Sequence, residues 1–178
     1  NAGGNNVIKY GSTRDVVLGV EAILPNGNIV NNLSRPFKDN TEYPFHKLLV
    51  GSEGTLGIIS AAKIQLFEKP KAKLTICVEF NDIEKAMEAM YNLKNNLGND
   101  IEAFELMTKE ILDIFFKNFP KFKKPFNNDP NFIGIIDIIT NSKFDVENYL
   151  SDKTIFENRI FVILENLLNK KIIKDAII

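Results

Sequence analysis

The texture of the chain changes at Pro70, in Glu68-Lys69-Pro70-Lys71, and that break constrains the fold more than any other feature of the sequence. Proline fixes φ and donates no backbone hydrogen bond, so a strand that runs into it stops there. Before the break the chain reads as extended segments joined by turns. Residues 17–24 form a strand, Pro25-Asn26-Gly27-Asn28 a tight turn, and Ile29-Val30 the returning hairpin partner. Asn-Gly supplies the positive φ that a two-residue hairpin demands. Residues 31–44 are polar and broken by Pro36, which reads as a loop; the apolar patch 45–50 follows, and 58–67 makes a further strand. From 16 to 57 the expected conformation is mostly extended.

After the break, strands alternate with amphipathic helices. Residues 73–80 read as a strand. Ile83, Ala86, Met87, Met90, Leu93 and Leu97 then share one helical face, with Asp82 as N-cap and Gly98 closing the helix. A strand at 101–106 precedes a helix over 108–118 that buries Ile111, Leu112, Phe115 and Phe116, and Pro120 stops it. Residues 121–130 form a loop. The continuous apolar run 132–140 fits a strand at the centre of a sheet, and a last helix spans about 154–169 on Phe156, Ile160, Leu164 and Leu167. The class expected is α+β, with an α/β arrangement in the second part.

Composition narrows the function. With 44% hydrophobic and 25% charged residues the chain reads as an ordinary globular protein, which sets disorder and fibrous classes aside. A formal charge of −1 provides no basic field for nucleic acid, and Lys121-Phe122-Lys123-Lys124 reads as a solvated loop. The single cysteine, Cys77, excludes an internal disulfide framework and reads as a small buried hydrophobe, in keeping with a cytoplasmic chain. No run approaches the roughly 18–20 apolar residues of a spanning helix, which leaves peripheral attachment at the inner face of a membrane open. The one histidine, His46, reads as a surface residue, and one histidine with one cysteine makes no metal cluster. The chain opens on Asn1 without a methionine and closes on the apolar Asp175-Ala176-Ile177-Ile178, the pattern expected of a piece of a longer protein.

Three glycine-bearing stretches carry what chemistry is visible: Asn1-Ala2-Gly3-Gly4, Tyr10-Gly11-Ser12 and Gly51-Ser52-Glu53-Gly54-Thr55-Leu56-Gly57. Bare backbone lets a ligand meet main-chain N–H groups, and three such stretches in one groove suit a long molecule with a pyrophosphate and a planar ring. The dinucleotide fingerprint is absent, since no strand precedes Gly3 and no helix clearly follows it. The phosphate-loop Gly-Lys-Ser/Thr is absent too.

Taken in order, Asn1-Ala2-Gly3-Gly4, Lys9-Tyr10-Gly11, Val17-Leu18-Gly19-Val20-Glu21, Leu24-Pro25-Asn26-Gly27, Lys38-Asp39-Asn40-Thr41 and Gly51-Ser52-Glu53-Gly54-Thr55-Leu56-Gly57-Ile58-Ile59 resemble the FAD-binding domain of the vanillyl-alcohol oxidase superfamily. The branch resembled holds glycolate oxidase flavin subunits, D-lactate dehydrogenases and D-2-hydroxyglutarate dehydrogenases. Ile101-Glu102-Ala103-Phe104-Glu105-Leu106-Met107 resembles the start of its substrate-side cap.

The resemblance implies the C-terminal portion of a PCMH-type FAD-binding domain over 1–70 and an incomplete α/β cap over 71–178. It implies FAD held by Asn1, Ala2, Gly3, Gly4, Tyr10, Gly11, Glu53, Gly54, Gly57, Ile58 and Ile59, with Ile58 offering main-chain groups to the polar edge of the ring. It implies a D-2-hydroxy acid as substrate and hydride transfer to flavin N5. The electron acceptor stays open among a quinone, an electron-transfer flavoprotein, a cytochrome and oxygen.

Thr41-Glu42-Tyr43-Pro44 departs from the family's Thr-Gly-Tyr-Asp, and no catalytic residue of the family falls within the chain. Two alternatives accompany this reading: an inactive product of a split or decaying gene, and a non-catalytic subunit whose partner chain supplies the missing FAD and cap segments. A cell-wall-precursor reductase on the same FAD fold matches the cap segment less well.

Overall fold

The computed structural model describes residues 1–34, 43–147 and 154–178. The Pro36 loop, the Lys38-Asp39-Asn40-Thr41 motif and the Glu42 departure lie outside the described residues. The chain divides into two compact units, Asn1–Glu68 and Lys69–Ile178, just ahead of Pro70.

The first unit holds a three-stranded antiparallel sheet of β1 (Val17–Ile23), β2 (Ile29–Asn31) and β3 (Ile58–Ile64), in the order β2-β1-β3. The β1–β2 hairpin is where the sequence predicts it, but its turn is of another kind. Gly27 N–H donates to the Leu24 carbonyl and Leu24 N–H to the Asn28 carbonyl, both at 2.9 Å. In this turn Gly27 alone takes a positive φ, +83°. That is a type I turn completed by a left-handed glycine, and Pro25 pre-sets the turn's second position, so Asn26 needs no left-handed geometry.

One short helix interrupts the stretch expected to be extended, and two single-turn helices lead up to it. The helix α1 (Val7–Tyr10) and the helix α2 (Thr13–Val16) precede β1, and the apolar patch forms α3 (Phe45–Leu49). Leu49 and Val50 close a small core over Val17, Val20 and Ala22. The strand β3 stops at Ile64 rather than 67 because its partner β1 begins at Val17, where α2 ends.

The second unit contains β4 (Ala72–Phe80), α4 (Ile83–Leu97), β5 (Ile101–Thr108), α5 (Lys109–Asn118), β6 (Phe132–Thr140), α6 (Ile155–Asn169) and β7 (Asp175–Ile177). Its sheet order is β5-β6-β4-β7, and every neighbouring pair is antiparallel. This is the split β-α-β arrangement of ferredoxin-like folds. The crossover through α4 returns β5 parallel to β4 with a gap between them, which β6 fills from the opposite direction. The central position expected of 132–140 is therefore correct, while the α/β arrangement is replaced by an antiparallel α+β one.

Side chains of alternate strand residues point to one face, where Ile76, Val78, Ile136 and Ile138 pack against Ala86, Ala89 and Leu93 of α4 and Phe156, Ile160 and Leu164 of α6. Burying each large side chain of this kind contributes about 1.5–3 kcal/mol. Asp82 caps α4 as predicted, its carboxylate accepting from Lys85 N–H at 2.7 Å. The buried stripe of α4 is narrower than its apolar pattern: Ile83 and Met87 are exposed. On α5 only Leu112 is buried, and Phe116 packs with it beside Phe126, Ile133 and Cys77, while Ile111 and Phe115 face outward, against expectation. Periodicity identified both helices correctly but overstated how much of each apolar face the sheet covers.

Candidate functional site

The glycine stretches of the first unit meet through a residue the sequence analysis passed over, Arg14. Its guanidinium donates twice to the Val50 carbonyl, from Nη2 at 2.9 Å and Nε at 3.2 Å. Its own N–H donates to Asn1 Oδ1 at 2.8 Å, and Thr13 next to it donates from N and Oγ1 to the Ala2 carbonyl at 3.1 and 2.7 Å. The first residues of the chain and the start of the 51–57 turn are thus tied to α2. A Cβ on Gly51 would lie 2.8 Å from Asn1 Cβ and 2.9 Å from Arg14 Nη2, and Gly51 has φ +87°, so this packing admits glycine alone.

The helix α2 is only four residues long and is stabilised at its start. Ser12 N–H and Oγ both donate to Asp15 Oδ2 at 2.7 Å. These bonds, led by the hydroxyl, hold the Asp15 carboxyl below its usual range. Ser12-Thr13-Arg14-Asp15 is the short spacing of a capping box, the signal by which the helix is legible in sequence. Gly11 belongs to the same device, since a Cβ there would fall 2.9 Å from Asp15 Cβ.

Ala2, Gly3, Gly4, Tyr10 and Gly11 line one open hollow of about 520 Å³, together with Val7 and Thr13. Gly4 faces free space: a Cβ there would meet nothing within 4 Å, and no fold contact accounts for its being glycine. Among the described residues, no N–H from Ala2 to Asn6 donates to a backbone carbonyl. A helix does follow Gly3, contrary to the sequence reading, but α1 is a single turn. Tyr10 packs against Phe67 with ring centroids 4.7 Å apart and planes inclined by 54°.

The other predicted residues sit in the 51–57 turn and the strand after it. Glu53 takes a left-handed φ of +52° and Gly54 one of +81°, with open space beside Gly54. Among the described residues, the N–H groups of Glu53, Gly54 and Leu56 donate to no backbone carbonyl. Gly57 is buried, and a Cβ there would meet the Ile23 carbonyl at 2.8 Å, so strand packing accounts for it. Ile58 and Ile59 pair with Ile23 and Ala22 on the edge strand β3, whose other edge no strand of this sheet covers. Main-chain donors without a backbone acceptor thus occur in two places, at the hollow and in the 51–57 turn, and the residues lining the hollow include none of 51–59; groups of this kind suit an anionic ligand such as a pyrophosphate.

His46, expected at the surface, is half-buried with Nδ1 3.5 Å from Asn32 Nδ2. Cys77, expected to be buried, is only partly so, and that burial pushes its thiol up to about 11. On the sheet face of the second unit away from α4 and α6, Lys73 Nζ lies 2.8 Å from Asp137 Oδ2 and 2.7 Å from Glu102 Oε2. These two carboxylates, Asp137 first, hold the ammonium above its usual range. Burial raises the Asp137 carboxyl, yet the bonds from Lys73 and from Thr75, at 2.6 Å, outweigh it and leave the group lowered. The lysine is thus neutralised in place and poorly suited to act as a base. A cavity by Leu112 and Phe126 has room for about 20 Å³, enough for little more than one water. Among the described residues, no helix is long and apolar enough to cross a membrane.

No family model matches the chain. It is 32% identical over 158 residues to D-2-hydroxyglutarate–pyruvate transhydrogenase of Saccharomyces cerevisiae, covering 86% of this chain and 32% of that protein. It is 31% identical over 176 residues to the mitochondrial D-2-hydroxyglutarate dehydrogenase of Danio rerio, covering 99% of this chain and 31% of that one. The chain is a homologue of the FAD-linked oxidase family. It spans about a third of the length of the curated relatives it matches. The fold agrees: 99% of the chain superposes on 31% of alkyldihydroxyacetonephosphate synthase with a TM-score of 0.65 at 17% identity. The Danio rerio relative is named as mitochondrial.

Proposed function

We propose that the chain is part of an FAD-dependent oxidoreductase of D-2-hydroxy acids, in which Asn1–Glu68 supplies one wall of the FAD groove and Lys69–Ile178 part of the substrate-side cap. One observation carries the reading. The backbone at Gly4, bare and facing a hollow of about 520 Å³, is joined through Arg14 to the start of the 51–57 turn. The fold accounts for glycine at positions 11, 51 and 57 by packing, whereas at Gly4 no packing contact does, which supports the approach of a ligand there. Homology to D-2-hydroxyglutarate dehydrogenases supplies the class of that ligand.

When bound, FAD supplies the acceptor for the hydride that leaves C2 of the hydroxy acid, the hydroxyl proton going to a base as the 2-oxo acid forms. The chain's own residues bind and orient. N–H groups between Ala2 and Asn6 would hold the diphosphate, those of Glu53, Gly54 and Leu56 the diphosphate and ring, and the edge of β3 at Ile58 and Ile59 would serve the pyrimidine end. Backbone donors need no side-chain ordering, and donors at the pyrimidine end favour charge arriving on the ring. No residue of this chain is assigned the base, and the acceptor of the electrons is one of the four classes named above.

Titrating FAD with the full chain tests the reading, since FAD fluoresces and the chain has no tryptophan to interfere. The expected result is saturable quenching that is reversed by gel filtration, because only one wall of the groove is supplied. Quenching no greater than that given by an unrelated protein overturns the proposal.

A further inference from the structure

We propose that Arg14 is a positioning residue that sets the spacing between the two backbone walls of the flavin groove; this rests on the FAD reading above. The two walls belong to segments far apart in sequence, and neither is fixed by the sheet. The first, 1–6, precedes every strand, and the second leaves α3 at Val50 and enters β3 only at Ile58. What joins them is the guanidinium fork on the Val50 carbonyl, the Arg14 N–H on Asn1 Oδ1 and the Thr13 bonds to the Ala2 carbonyl. Val50 is 5% exposed and part of the core, so its carbonyl is a fixed anchor rather than a loop contact.

The chemistry favours arginine over any other residue here. A planar guanidinium presents two N–H groups to one carbonyl at once and so fixes direction as well as distance, whereas an ammonium is a point donor. Gly51 completes the device, because any side chain there would displace Asn1 or the guanidinium. Arg14 is not among the residues lining the hollow and acts through the segments it holds, while Gly4 and Gly54, which have open space before them, face the ligand.

The test compares the full chain with Arg14→Met, which fills similar volume without donors, and Arg14→Lys, which restores one donor. Two readouts are taken: hydrogen exchange of the Ser52 and Thr55 amides, the N–H groups of the turn that donate to the Leu49 and Ser52 carbonyls, and affinity for FAD by fluorescence quenching. Arg14→Met is expected to speed exchange across the turn and weaken FAD binding, each by about tenfold, the size expected for losing charged hydrogen bonds. Exchange within β4 and β6 should stay unchanged, and Arg14→Lys should recover part of both losses. Unchanged exchange in Arg14→Met overturns the clamp whatever FAD does. Faster exchange with unaltered FAD affinity overturns the positioning role and leaves the FAD reading standing. No FAD binding by the unaltered chain overturns the FAD reading, and the positioning role with it, even where exchange still reports the clamp.

Discussion

The two units solve the problem of holding a small sheet in opposite ways. In Lys69–Ile178 the sheet is fixed by volume: Ile76, Val78, Phe80, Ile136 and Ile138 interlock with two fifteen-residue helices. In Asn1–Glu68 the core among the described residues is five buried hydrophobic side chains, and beyond its strand ladders the unit is ordered by polar bonds to main-chain carbonyls at points where a side chain is missing. The first unit therefore depends chiefly on close backbone approach and the second chiefly on filled volume, although a Cβ on Gly134 of β6 would also fall 2.6 Å from the Phe80 ring. A scaffold built of close backbone approaches leaves main chain free for a ligand, whereas a packed sheet does not.

Substitutions can break that contrast. The largest effect belongs to Ile136→Ala, which empties a fully buried position in the central strand. It should cost about 2–5 kcal/mol in urea unfolding followed by circular dichroism. A cost under about 1 kcal/mol would show that volume does not dominate the second unit. Next comes Gly19→Ala. Its Cβ would sit 2.6 Å from the Asn32 carbonyl oxygen, so a single added methyl should cost about 1–3 kcal/mol by overpacking. Were this variant as stable as the unaltered chain, the first unit would not depend on close approach. The smallest is Asp82→Ala, which removes the cap on the Lys85 N–H and should cost about 1 kcal/mol. It sharpens the comparison by measuring how much of the second unit rests on a polar contact of the kind the first unit depends on.

The same contrast explains what the sequence made legible. In the second unit every element but the three-residue β7 spans enough residues for its period to emerge, so 132–140 and the Asp82-capped helix are visible in the pattern of isoleucines and leucines alone, while β7 is not. The direction of β6 is not, because an apolar run reads the same whichever way its neighbours point. The exposed faces of α4 and α5 also escape, since an apolar side chain at helical spacing does not say whether a partner lies opposite. In the first unit α1 and α2 are each four residues long, too short for any period, and only the Ser12–Asp15 spacing marks one of them. The glycines were visible as bare backbone, but not which of them serve packing and which face open space. Arg14 carries no sequence signal, because its partner is a carbonyl, a group every residue has. At the β1–β2 turn Asn-Gly was read as the positive-φ pair, and Pro25 shifted the geometry by one residue.

The order of strands in the second unit dictates an order in time. β4 and β5 share no ladder with each other, and each meets β6 along its length. A ribosome delivering the chain from its N-terminus therefore exposes β4, α4 and β5 well before the strand that joins them exists. Until residues 132–140 emerge, the edges of β4 and β5 present unpaired amides to any other strand nearby. Closing the sheet is a late, non-local event, and a nascent chain stalled before residue 132 would carry two open edges whose proper occupant has yet to be made.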